Sequence, residues 1–536
     1  VNALQTLIRP SDPAAPPRVR RFDAATIALA VVTGAGIVVR IALWWQDRAF
    51  WRDELSLVQS LDTYSVPQLF GQLTDAQTAP PAWLVLVKAS TWVLGDGERG
   101  YRVLPLLFGC ATLVLLAILA ARLVKNRWAA VVPVIVMSTV SELVFYTAQT
   151  KQYTADTFFI TGLILLAVLM IQTGKGERLW YVALVVAPWF SYGAMLSVPL
   201  LAAWLAVVQL RRRQRGLAHL AVRLIIPAVS VLGAGLLSWR LTSHVNEFTS
   251  YWDYYLGPEN LAHTFRWTIV VFKDLAIREL GSALWWATGL LVIAGFAVAL
   301  RRGVGIGIML VLPTVAGYLV GLLGIYPFGH RLILFCAPGL AICLGILVDA
   351  AIERARILPF KYAKPAVGVL AAAIVLATSW TTPQRLSHDL RYQFGVDDYR
   401  AAFAFVAKTW EDGDVLIVGN GDRAAARVYG PRFDLPMNRI LRASPTEYKK
   451  LRVDCPTPQL RTPGAQFWFL TGDAVMMYAG VSSRTAIIAP FVPKYHVVNT
   501  RVSGLVTVQA MLPGQHRYVW PTRCLRYELV TAPVYR

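Results

Sequence analysis

Charge is what this chain has least of. Only 15% of its 536 residues are charged, against 56% hydrophobic residues and a mean hydropathy of +0.50. That balance excludes an ordinary soluble globular domain of this length. Cysteine is scarce as well. Five cysteines, an odd number without metal-ligand spacing, exclude a zinc module or a disulfide framework as the organising device. Cys110, Cys336 and Cys343 lie in apolar segments as small core residues, whereas Cys455 and Cys524 lie in the polar C-terminal region and would be free to pair if that region is outside the cytoplasm. No internal repeat, parallel or inverted, is visible, which removes the usual sign of a transporter. No cleavable signal pattern precedes the first apolar segment, so that segment is expected to stay as the first helix.

Long apolar runs are what the chain has in quantity. Eleven are expected to cross a bilayer: 27–45, 103–122, 128–146, 153–171, 179–191, 194–210, 219–240, 283–300, 304–324, 332–349 and 365–380. The net charge of +21 gathers in short clusters between them, so orientation explains it more simply than nucleic acid, and no nucleic-acid partner is expected. Residues 1–26, with Arg18, Arg20 and Arg21, read as a basic cytoplasmic arm. Ala82–Leu94 is apolar but short; counted as interfacial, it leaves the basic cluster Arg122–Arg127, Lys175–Arg178 and the run Arg211–Arg215 all inside.

The resulting fold class is an α-helical polytopic membrane protein with about 11 transmembrane helices and a small external α/β C-terminal domain. Its expected parts are the arm, a transmembrane catalytic domain over 27–380 with external loops 46–102 and 242–281, and an extracytoplasmic domain over 381–536. Strand-like Val415–Val418 and Phe467–Leu470 and a helical pattern from Asp397 to Trp410 support that last part. Within it, Gly419-Asn-Gly421-Asp-Arg-Ala424 resembles a dinucleotide fingerprint. An external domain meets no nicotinamide pool and no convincing βαβ continuation stands out, so a plain strand-to-helix turn is the reading.

Four groups of polar residues fall at the expected outer face. Asp53 and Glu54 follow the first apolar run, where a carboxylate suits a general base; a first-turn acid of a short helix fits the pair equally well. Gln149, Lys151 and Tyr153 lie in the string Tyr146–Asp156 between two spans, with Lys151 placed to hold a phosphate or, alternatively, to pair with Asp156. His330 and Arg331 open a late span, and Arg331 offers a bidentate fork. Arg102 is a further cation, with snorkelling to the interface as its simpler explanation. The aromatic run Tyr251, Trp252, Tyr254 and Tyr255 fits a sugar platform or an interfacial belt. Acids and cations on one face suit a substrate with an anionic head at the interface and a tail in lipid.

On Trp51-Arg-Asp53-Glu54, Ala79-Pro80-Pro81, Arg102-Val-Leu-Pro105, the Tyr146–Asp156 string and Arg331, the sequence resembles the GT-C class of integral-membrane glycosyltransferases over roughly residues 27–350. That group includes protein O-mannosyltransferases and the aminoarabinose transferase acting on lipid A. The resemblance implies a bacterial plasma-membrane enzyme with Asp53 as catalytic base and a polyprenyl-phosphate sugar as donor. The acceptor hydroxyl would belong to a lipid, a polysaccharide or a protein. Lys151 and Arg331 would face the leaving phosphate. Many relatives carry arginine where this chain has Lys151, a change that keeps the charge and loses the fork. No cofactor is required by this reading; a divalent cation, Mg or Mn, held by Asp53 or Glu54 and substrate phosphate is compatible with it. The competing reading is a transporter or flippase of a lipid-linked glycan.

Overall fold

The computed structural model describes residues 23–242, 252–258, 260–355, 362–378, 384, 386–387, 398–419, 422–443, 467–472, 495–503, 506–513 and 527–529. Most of the basic arm, Tyr251, Cys455 and Cys524 lie outside the described residues. The chain forms two compact units, one of 1–46, 66–72 and 78–390, the other of 47–65, 73–77 and 391–536.

The first unit is a helix bundle. Each of the eleven expected apolar runs falls largely in helix, because a mostly apolar run can satisfy its backbone only internally in lipid. Among the described residues, eight helices are long and apolar enough to cross a membrane: Ala24–Trp45, Glu98–Leu123, Tyr153–Thr173, Tyr192–Arg211, Leu217–Leu241, Trp285–Arg302, Val304–Leu322 and His330–Arg354. A ninth span results if Arg127–Thr139 and Ser141–Ala148, bent by 66°, count as one. The two remaining runs form helices of 14 and 16 residues, Glu177–Phe190 and Ala363–Thr378. Ala82–Leu94 falls in another 14-residue helix, Pro81–Leu94.

Helix ends follow local sequence rules. Asp23 accepts the Thr26 N–H at 2.8 Å to begin Ala24–Trp45. Gly174, at φ +66°, closes Tyr153–Thr173 through the left-handed conformation that a residue with a Cβ resists.

Contacts fix the helix directions. Arg127 bonds Thr26 while Arg40 donates to the Met137 carbonyl, so the first span runs parallel to the third. Thr112 meets Thr157, and Gln172 donates to the Arg122 carbonyl, so Glu98–Leu123 runs parallel to Tyr153–Thr173. Arg302 reaches Asp349 and Glu353, while a Cβ on Gly295 would overlap the Cys343 backbone, so those helices are parallel too. This is the alternation the sequence requires. It gathers Thr26, Arg122, Lys125, Arg127, Arg302 and Asp349 at one end of the bundle and leaves Arg102, 146–153 and 330–331 at the other. Buried Leu113, Leu116, Ile160, Ile164, Leu201, Phe335 and Ile342 belong to the apolar core between them.

In the second unit a six-stranded sheet has the order β4-β5-β3-β1-β2-β6, with β1 Val415–Gly419, β2 Ile440–Ala443, β3 Phe467–Gly472, β4 Tyr495–Ser503, β5 Val506–Pro513 and β6 Tyr527–Leu529. β1 pairs parallel with β2 and β3, and the other pairs are antiparallel. The helix Arg423–Arg432 lies between β1 and β2 in sequence, so a βαβ unit does follow Gly419, contrary to the expectation. Its strands are four and five residues long, too short to stand out by periodicity. The helix Tyr399–Thr409 confirms the pattern from Asp397 to Trp410.

Candidate functional site: a cationic cluster in the helix bundle

In the first unit the structure joins the central string to the late span. The helix Tyr153–Thr173 begins just after Lys151, and the segment His330–Cys336 opens as a 3-10 turn. Arg331 Nε donates to the Tyr153 phenolic oxygen at 3.1 Å, and the guanidinium lies over the Trp252 ring, 5.4 Å from its centroid. Tyr153 in turn meets Tyr146 edge to face at 4.8 Å. Arg331 is therefore held by a hydrogen bond on one side and an aromatic face on another, the geometry that preserves a planar fork for an anion.

Lys151 is 5% exposed and Gln149 3%. The side-chain amide oxygens of Gln149 and Gln152 are buried without a hydrogen-bond partner, a condition native interiors rarely tolerate outside a binding site. Asp156 does not wait for Lys151: its Oδ1 accepts from the Ser191 hydroxyl at 2.6 Å and the Gly193 N–H at 3.1 Å. Its role is to brace the start of the helix Tyr192–Arg211.

Arg102 is buried at 3% exposure on Glu98–Leu123. About two turns further along that helix, Gly109 packs where a Cβ would collide with Thr147, which puts Arg102 at the same end of the bundle as the string.

His330 has φ +52°, a left-handed conformation that costs a residue with a Cβ about 1–2 kcal/mol. Its N–H donates to Asp274 Oδ2 at 2.7 Å, and its Nδ1 accepts the Arg331 N–H at 2.8 Å. Gly329 before it leaves no room for a side chain against the Tyr255 ring. Behind the turn, Arg278 donates to Asp274 Oδ1 at 2.6 Å and to Glu142 Oε1 at 3.1 Å. Burial pulls the Arg278 pKa down, but the neighbouring Asp274 and Glu142 carboxylates outweigh it and leave the group raised. Next along the helix Leu261–Glu279, burial pushes the Glu279 carboxyl well up, and both its oxygens lack a hydrogen-bond partner.

Glu142, Trp252, Asp274 and Arg278 carry this arrangement without having been singled out as its supports. Two signals were present: an acid inside an apolar run at Glu142, and the four-residue spacing of Asp274 and Arg278 on one helix.

In the second unit Asp53 and Glu54 occupy the first turn of the helix Arg52–Thr63. Glu54 is fully buried and accepts the Trp51 N–H at 3.4 Å, the reaching-back half of a capping box. Glu54 thus has the helix-start role, and Asp53 is the more exposed acid. The segment is tied down by its own unit. The Phe50 N–H donates to the Tyr429 hydroxyl at 2.9 Å, Arg400 reaches Asp47 at 3.2 Å, and Arg423 pairs with Asp75. Among the described residues no group of three or more His, Cys, Asp or Glu could hold a metal ion.

No family model matches the chain, and no curated protein sequence matches it. Solved structures do. ArnT from Cupriavidus metallidurans in the apo state superposes with a TM-score of 0.52 at 13% identity, covering 91% of this chain and 98% of that one. The same protein bound to undecaprenyl phosphate gives 0.49 at 15% identity with the same coverage. The archaeal oligosaccharyltransferase AglB from Archaeoglobus fulgidus, in complex with an inhibitory peptide and a dolichol-phosphate, gives 0.45 at 11% identity over 76% of this chain and 63% of that one. The chain therefore has the polytopic helical fold of the apo ArnT structure, over nearly the whole length of both proteins.

Proposed function

We propose that the protein is an inverting glycosyltransferase that moves a sugar from a polyprenyl-phosphate donor to an acceptor hydroxyl of the cell envelope. The observation that carries this reading is the Arg331–Tyr153 contact beside buried Lys151. A buried lysine and a held guanidinium at one end of a membrane bundle form a receptor for an anionic head whose tail is in lipid. The apo ArnT fold and the undecaprenyl phosphate bound to ArnT in its second structure agree with that ligand class.

Lys151 and Arg331 hold the donor phosphate, with Arg102, Gln149, Tyr153 and His330 as further binding groups. Asp53 is the base and Glu54 its structural neighbour, an assignment that rests on the sequence resemblance. In the transfer, the acceptor O–H gives its proton to the Asp53 carboxylate, and the oxygen bonds to the anomeric carbon from the face opposite the leaving group. The anomeric carbon–oxygen bond to phosphate breaks with its electron pair going to the phosphate oxygen. Charge grows on that oxygen as the bond lengthens, so cations beside it favour the transition state over the bound donor. A divalent ion would be held by Asp53 or Glu54 together with the donor phosphate and would supply charge neutralisation there. We read the basic end of the bundle as cytoplasmic, and the phosphate receptor and the C-terminal domain as extracytoplasmic.

The test is radiolabelled sugar transfer from a synthetic polyprenyl phosphate by the full chain in detergent. Wild-type protein yields product, and Asp53→Asn loses about 100-fold or more in rate while still binding donor. Near-normal transfer by Asp53→Asn ends the base assignment. Donor uptake without product favours the transporter.

A further inference from the structure

We infer that Asp274 is a positioning residue for Arg331, acting through the backbone of the turn that presents it. This rests on the reading of Arg331 as a phosphate group's partner. The turn is conformationally costly at His330. His330 sits in a left-handed conformation that its side chain disfavours, and Gly329 before it is confined by Tyr255. A carboxylate on another helix fixes its backbone: Asp274 Oδ2 accepts the His330 N–H at 2.7 Å.

Asp274 is itself aimed from behind. Arg278 engages its other oxygen at 2.6 Å and is fixed in turn on Glu142 at 3.1 Å. From His330 the geometry passes forward, since its Nδ1 accepts the Arg331 N–H at 2.8 Å and the Arg331 side chain then reaches Tyr153 and Trp252. The ring nitrogen that accepts is therefore unprotonated, which sets the tautomer of His330. Glu142 and Asp274 thus act on Arg331 through backbone and hydrogen bonds. The chain runs Glu142, Arg278, Asp274, His330, Arg331, Tyr153, and every link lies in the first unit.

The experiment is equilibrium binding of radiolabelled undecaprenyl phosphate to full-length protein in detergent, with affinity and site number read separately. Asp274→Ala weakens binding by about tenfold at unchanged site number, because a misplaced guanidinium loses a charge-assisted contact. Arg331→Ala weakens it at least as much, and the double variant binds no more weakly than Arg331→Ala alone. Asp274→Asn keeps an oxygen for the His330 N–H but loses the pairing with Arg278. It costs about threefold in the wild-type background and nothing further on top of Arg331→Ala, so the test stands even if the alanine protein does not fold. Wild-type affinity in either Asp274 variant, additive losses, or a fall in site number at unchanged affinity overturns the inference. If Arg331→Ala itself binds normally, the phosphate assignment falls and the inference falls with it.

Discussion

Arg331 and Tyr153 stand 178 residues apart in sequence and meet at 3.1 Å, guanidinium Nε to phenolic oxygen. The contact links the string that begins one buried helix to the turn that begins another. It also engages one edge of the guanidinium through Nε. Tyr153→Phe should therefore loosen the fork without removing its charge. The expected result is a rise in donor KM of about three- to tenfold, from the loss of one hydrogen bond to a charged group, with a smaller change in kcat. Arg331→Lys should cost more than Tyr153→Phe, because an ammonium cannot use either the fork or the Trp252 face in the same way. Steady-state transfer kinetics on the three proteins check the order; equal effects would place Tyr153 outside donor recognition.

Glu54 and Asp53 should separate cleanly. Glu54→Gln retains an oxygen for the Trp51 N–H, so the helix Arg52–Thr63 keeps its start, whereas Glu54→Ala loses it and should destabilise the second unit by about 1 kcal/mol. Asp53→Asn should leave stability within about 0.5 kcal/mol while removing transfer. Thermal unfolding in detergent, run beside the transfer assay, distinguishes the two residues.

Asp349 is buried and gathers the Lys125 N–H at 3.0 Å, the Asn126 N–H at 2.7 Å and the Arg302 guanidinium. Asp349→Ala leaves two backbone donors without their acceptor and takes one of two carboxylate partners from the half-buried Arg302, which keeps Glu353, and should cost about 1–3 kcal/mol. Loss of thermal stability with normal donor affinity in the surviving folded protein is the expected pattern, since this cluster sits at the basic end of the bundle.

Glu279 gives a pH signature. Its folded pKa is raised by burial above the ordinary value of 4.5, so the native state keeps a proton that the unfolded chain releases. The sign follows: its contribution is fully favourable below pH 4.5 and is lost as pH climbs towards the folded pKa. Glu279→Gln removes that dependence. The variant should gain stability over wild type at pH 8 and gain little at pH 5, as unfolding temperatures at the two pH values would show. An equal gain at both would mean the carboxyl ionises normally.

The bundle was largely legible in the sequence because lipid imposes a coarse code. Twenty apolar residues without charge have few other fates, and basic clusters set the alternation that Arg127–Thr26 and Arg302–Asp349 now display. The cationic group was legible for the same reason, since Lys151 and Arg331 break apolar runs at their ends. Asp274 was not, because it lies in a helix of mixed polarity where an acid four residues before an arginine reads as a surface pair. The place of Asp53 was hidden too. Its segment clusters with the C-terminal sheet and not with the helix it follows, and the Tyr429 and Arg400 contacts responsible lie more than 350 residues away.

That last attachment sets a timetable for biosynthesis. Phe50 emerges 379 residues before the tyrosine whose hydroxyl receives its N–H. A ribosome still translating the sheet has already delivered Lys151 and Arg331, yet the segment bearing Asp53 lacks its anchor until Tyr429 has been made and folded. A chain terminated before Tyr429 would thus carry its cations without a settled acid.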